Sequence, residues 1–182
     1  NPVVETTVTL DQLNTMYSVN VAAAVQHRIQ HPGSNHGLML RSRTTYGAEY
    51  VFTTSEHLSQ YARPQLRVLY FVPSEVPLPN TPTVTSTPKD TATPTATPTR
   101  TATATAAPAE AVLVFQNGLL GYNGTSDTWI DGQQPNKNYN TPTDYFMRLY
   151  PNLQHGLLRF DLQAIPAGAQ VMEAKLDLFH RT

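Results

Sequence analysis

His27 and His31 lie four residues apart in VNVAAAVQHRI, a spacing that sets two imidazoles on one helical face, with His36 close behind. Two such ligands can start a metal site, but no spacing in the chain fixes a third. Histidines near a helix C-terminus also have an ordinary role there, because their partial positive charge suits the dipole. Asp127, Asp131, Asp144 and Asp161 are carboxylates that could work in pairs on a glycosidic bond or give oxygens to Ca²⁺. Neither use is selected by their spacing. Asp161 points away from the face of Phe160 and Leu162, which suits a pair with Arg159 or a turn cap. Trp129, Tyr46, Tyr122, Tyr139 and Tyr145 offer flat rings on which a sugar can stack. Trp129 falls inside a strand and suits a core, whereas Tyr122 and Tyr139 fall in loops and are the glycan-binding candidates. Asn123-Gly124-Thr125 makes Asn123 a candidate for N-glycosylation. No nucleophile–His–acid signature, phosphate-binding loop or zinc motif occurs, so no catalytic residue and no enzymatic activity are expected.

These residues are distributed around a segment of different character, TPTVTSTPKDTATPTATPTRTATATAAP. Threonine occupies every odd position from Thr81 to Thr87 and from Thr91 to Thr105. Proline removes backbone donors, and a stretch almost without large apolar side chains cannot offset the entropy of ordering by burial, so it reads as a spacer. Alternating hydroxyls on an extended backbone suit O-linked glycosylation, with Thr83, Thr85, Thr95, Thr97 and Thr99 as the central candidates. Fully extended, the spacer would reach on the order of 100 Å.

The spacer, 74–110, divides the chain into blocks 1–73 and 111–182, each of about 70 residues, a size at which one core is marginal without further support. Cysteine supplies none, since the chain has 0 Cys. A formal net charge of −1 without a basic run argues against a nucleic-acid partner. No apolar run approaches the ~18 residues of a membrane span, and the first residues lack the regions of a signal peptide, so in an exported protein this would be a mature or internal segment.

The first block reads as strands at Val3 to Leu10, Met16 to Val21, Gly37 to Ser42, Ala48 to Thr54 and Pro64 to Val72, with a helix between the second and third. Val21, Val25 and Ile29 share that helix's apolar face, and Pro32-Gly33 ends it. The second block reads as all-β, with strands at Val112 to Gln116, Asp127 to Asp131, Asp144 to Tyr150, Gly156 to Leu162 and Ala169 to His180. In the last, Ala174, Leu176 and Leu178 alternate with Glu173, Lys175 and Asp177. Short strands separated by Gly, Asn and Pro loops suggest a β-sandwich or jelly roll.

Several motifs resemble the DNRLRE domain family. Asp127-Thr128-Trp129-Ile130, Pro135-Asn136-Lys137-Asn138-Tyr139, Leu157 to Leu162, Ile165-Pro166-Ala167-Gly168-Ala169 and Ala174 to Leu178 match its N-terminal half. The Val19-Asn20-Val21 lead-in to a helix, Ser34 to Arg41, the Ser55-Glu56 turn and Ala62 to Tyr70 resemble its C-terminal half. The halves stand in inverted order, and the middle that joins them in the family is missing. The resemblance implies jelly-roll modules of secreted or cell-surface proteins, related to carbohydrate-binding modules. No cofactor is implied beyond a structural Ca²⁺ of the kind that pins loops in such modules.

The expected protein is therefore an extracellular structural one, forming a surface filament, sheath or adhesive stalk, with copies of itself as head-to-tail partners. The rival is a carbohydrate-binding module of a larger secreted enzyme or adhesin, with polysaccharide as partner. In both, each half-domain should need strands from outside this chain, from a neighbouring segment of a longer array or from a neighbouring subunit, with Leu66, Val68 and Tyr70 burying against strands that their own block does not supply.

Overall fold

The computed structural model describes residues 6–43, 48–73, 110–139, 142–149 and 151–181. The first block supplies β1 (Thr15–Asn20), helix α1 (Ala22–Gln30), β2 (Leu38–Arg41), β3 (Glu49–Thr53) and β4 (Gln65–Phe71). The second, together with Glu110 from the expected end of the spacer, supplies β5 (Glu110–Phe115), β6 (Thr125–Asp131), β7 (Asp144–Arg148), β8 (Gln154–Phe160) and β9 (Gln170–Arg181). Among the described residues all nine strands belong to one curled antiparallel sheet, and the fold is all-β apart from one helix and two short 3₁₀ turns.

Every ladder formed by β1, β2, β3 and β4 is made with a strand that follows the spacer. β1 pairs with β9, β2 with β8, β3 with β7 and β9, and β4 with β5 and β9. The second block has ladders of its own, β6 with β8 and a single pair between β7 and β8. Leu66 thus lies between Leu176 and Phe115, and Val68 between Ala174 and Leu113. Leu66, Val68 and Tyr70 are all buried, against strands from across the spacer.

Alternation explains why these strands form where they do. In β9, Ala174, Leu176, Leu178 and His180 point into the core while their neighbours are only half-covered. Helix α1 buries Ala24, Val25 and Ile29 against β9, and Gln26 fixes its height by donating to the Ala169 carbonyl at 3.1 Å and accepting from the Val171 N–H at 2.6 Å. Gly37 passes close under β8 with φ +89°, where a Cβ would stand 2.7 Å from the Leu158 carbonyl oxygen.

One expected strand differs. Residues 7–10 carry no strand, and Val3-Val4 lie outside the described residues. Thr7, Val8 and Thr9 are exposed and have no ladder, so β-branched composition alone does not make a strand there. The chain is instead gathered at its next turn by the Tyr17 hydroxyl, which accepts from the Asp11 and Gln12 N–H groups at 2.8 and 2.7 Å.

Candidate functional site

The seam between the two blocks is where polar groups are concentrated. Thr53 ends β3, Thr54 and Ser55 follow it, and all three are buried, a run of hydroxyls where a strand end would normally meet solvent. Each has a partner. Thr53 Oγ1 donates to the Ala62 carbonyl, and Thr54 Oγ1 donates to the Pro142 carbonyl at 2.7 Å. Thr54 N–H donates to the Thr143 carbonyl at 3.0 Å. Ser55 N–H donates to Asp127 Oδ2 at 2.6 Å. Three consecutive residues of the first block are thereby held at the end of β3, Thr54 and Ser55 by bonds directly to the second block.

Other bonds continue the seam. Arg63 Nη1 donates to the Asn117 carbonyl at 3.0 Å, Gln116 Nε2 returns a bond to the Arg63 carbonyl, and Asn35 Nδ2 donates to the Phe160 carbonyl at 2.9 Å. Arg148 pairs with Glu49, and Arg67 with Glu173 at 3.1 Å. His180 Nδ1 lies 2.8 Å from the Gln12 carbonyl, with the rings of Tyr17, Tyr50 and Phe52 around it. The centre is aromatic: Phe52 stacks on Tyr145 with centroids 5.9 Å apart. Tyr145 in turn lies over Gly156, where a Cβ would approach its ring to 2.7 Å.

Asp127 is the charged residue at this centre. In β6 the buried positions are Thr125, Asp127, Trp129 and Asp131, so alternation carries a carboxyl onto the core face. Burial pushes its pKa up to about 7, and the nearby Glu56 carboxyl adds to that rise against the pull of the Ser55 hydrogen bond.

The sugar-stacking candidates occupy other places. Tyr139 is buried, its ring 3.7 Å from that of Trp129 and under the Lys137 ammonium, with its hydroxyl 3.3 Å from Gln134 Oε1. Trp129 belongs to the core. Tyr122 is half-buried, edge-on to Phe115, and its hydroxyl accepts from Asp161 N–H at 2.9 Å; burial pushes its pKa up to about 12. The Tyr122 and Tyr139 rings are thus occupied within the molecule and do not form one platform. Asn123 is exposed in the loop between β5 and β6. Tyr46 and the spacer threonines Thr83, Thr85, Thr95, Thr97 and Thr99 lie outside the described residues.

Nor do the four aspartates converge. Asp131 Oδ1 accepts from Gln133 N–H and Asp161 Oδ1 from Gln163 N–H, each closing its own turn, while Asp144 pairs with Arg181 at 2.7 Å. The His27 and His31 rings stack at 4.6 Å. Among the described residues no three His, Asp or Glu side chains gather as a metal site would require. No described helix is long and apolar enough to cross a membrane.

The seam cluster was missed from sequence because its members are 72 residues apart at Ser55 and Asp127. One signal was present: a carboxylate in phase with Trp129 on a strand must find a buried partner. No family model matches the chain, and neither a curated protein nor a solved structure matches it.

Proposed function

We propose that the chain is an extracellular structural protein, building a surface filament, sheath or adhesive stalk from jelly-roll nodes joined by O-glycosylated Thr/Pro spacers. The observation that carries this reading is the pairing across the spacer: among the described residues, strands before it ladder only with strands after it. A node is thus a joint between two complementary parts, and the parts need not come from the same copy.

Phe71 and Glu110 are paired neighbours on β4 and β5, a connection that a hairpin of a few residues would complete. The residues from 72 to 109 separate them instead. Loop-closure entropy makes that long connection costlier than a tight turn by about 2 kcal/mol, so a neighbouring copy replaces the chain's own block where copies are packed above the roughly millimolar effective concentration of the linked block. Completion of one copy's second block by the next copy's first block is head-to-tail, does not close, and extends into a filament. Glycans on Thr83, Thr85, Thr95, Thr97 and Thr99 would stiffen the spacers and shield them from proteases.

The rival reading, a carbohydrate-binding module, calls for an open aromatic face. It has less support, because Trp129 and Tyr139 are stacked in the interior and Tyr122 is bonded to Asp161. Electron microscopy of native surface material labelled with antibody to the second block tests the proposal. Labelled nodes at regular intervals along a thread are expected, and label confined to single dispersed particles would contradict it.

A further inference from the structure

Asp127 and Glu56 approach each other from opposite sides of the seam around one serine. Ser55 N–H donates to Asp127 Oδ2 at 2.6 Å and Ser55 Oγ donates to Glu56 Oε1 at 2.9 Å. One serine thus bonds both carboxyl groups, its N–H to Asp127 and its hydroxyl to Glu56, which sets the two acids side by side at the joint. Asp127 is buried while Glu56 sits at the exposed edge of the turn. Among the other described neighbours, β7 brings the Tyr145 phenol, and β8 sets Leu158 opposite Asp127 in the ladder.

We propose that Asp127 and Glu56 share one proton across the seam, so that protonation draws the two blocks together and its loss sets two negative charges against each other at the joint. The proposal deepens the reading of the seam as the place where copies join, by adding its regulation. Its test is made on folding of one chain, so it can fail while the filament reading stands.

The sign follows from the direction of the shift. Burial raises the Asp127 pKa above its ordinary value near 4, to about 7, so the folded form binds the proton more tightly than the unfolded one. The stabilisation is complete below the unfolded value and is lost as pH rises through about 7. One proton of difference changes the folding constant by up to about tenfold per pH unit within that window. His155 works the other way, since burial and Arg41 lower its pKa and its contribution is lost as pH falls. The informative quantity is therefore the difference between the protein and its variants.

Urea unfolding of the full chain, followed by Trp129 fluorescence between pH 4.5 and 8.5, decides the matter. Glu56→Gln changes an exposed side chain and should leave the fold intact. Relative to this variant, the unmodified protein is expected to lose stability as pH rises from 5 to 7, by roughly tenfold in the folding constant. Asp127→Asn should abolish the Asp127 contribution to the pH dependence. A Glu56→Gln slope identical to that of the unmodified protein overturns the proposal, whether or not Asp127→Asn folds. So does a rise in the midpoint at pH 8 on adding Ca²⁺ that EDTA reverses in the unmodified protein but that is absent in Glu56→Gln, since a cation rather than a proton would then join the pair.

Discussion

Tyr145 is almost fully buried, and its hydroxyl has no hydrogen-bond partner among the described residues. Burial and the Asp127 charge both push its pKa well above the ordinary phenol value, so it stays protonated and unsatisfied. An unpaired buried hydroxyl costs about 1–3 kcal/mol, and removing it while keeping the ring releases that cost. Tyr145→Phe is therefore expected to raise stability by about 1 kcal/mol, read as a higher urea midpoint with unchanged slope. A lower midpoint would show that the hydroxyl is bonded. Residue roles were the least legible part of the sequence. Loop position made Tyr139 resemble a surface ligand, but its apolar ring lies close enough to Trp129 to be covered, and burial overrides loop membership.

Leu66 shows how one strand joins the two blocks, because it pairs with Leu176 on one side and Phe115 on the other. Truncating it opens a cavity between elements from both sides of the spacer. Leu66→Ala is expected to cost about 2–5 kcal/mol in the full chain, measured by urea unfolding. A cost below about 1 kcal/mol would mean that β4 is not held between β9 and β5. At this scale the sequence was most informative. The alternation in QLRVLYF and in the last strand identified both β4 and β9 within one or two residues of their ends, because a half-buried pleat leaves a two-residue period. Residues 7–10 have β-branched composition without a ladder, and composition could not show that a partner was lacking. Ser55 and Glu56 were legible as a turn, but their meeting with Asp127 depends on packing of β3 beside β7.

For the whole molecule, sequence patterns suggested two unfinished halves and placed what finishes them outside the chain, in a longer array or a neighbouring subunit, whereas the ladders are made within one chain. Strand pairing is a long-range property, set by register and burial between segments that composition treats separately. In the structure each half finishes the other. The dependence is unequal, since the second block retains the β6–β8 ladder while the first has no ladder within itself among the described residues. Without the first block, the second would lose β1, β2, β3 and β4 together with helix α1, exposing Leu176, Leu178 and Phe115. Apolar faces and strand edges so uncovered favour aggregation over folding. The most direct measurement is thermal unfolding and light-scattering mass of residues 111–182 alone, then after mixing with residues 1–73. No cooperative transition for 111–182 alone, and its appearance on mixing, is the predicted result. A soluble, cooperatively unfolding monomer of 111–182 by itself would contradict the claim that the two blocks complete one node.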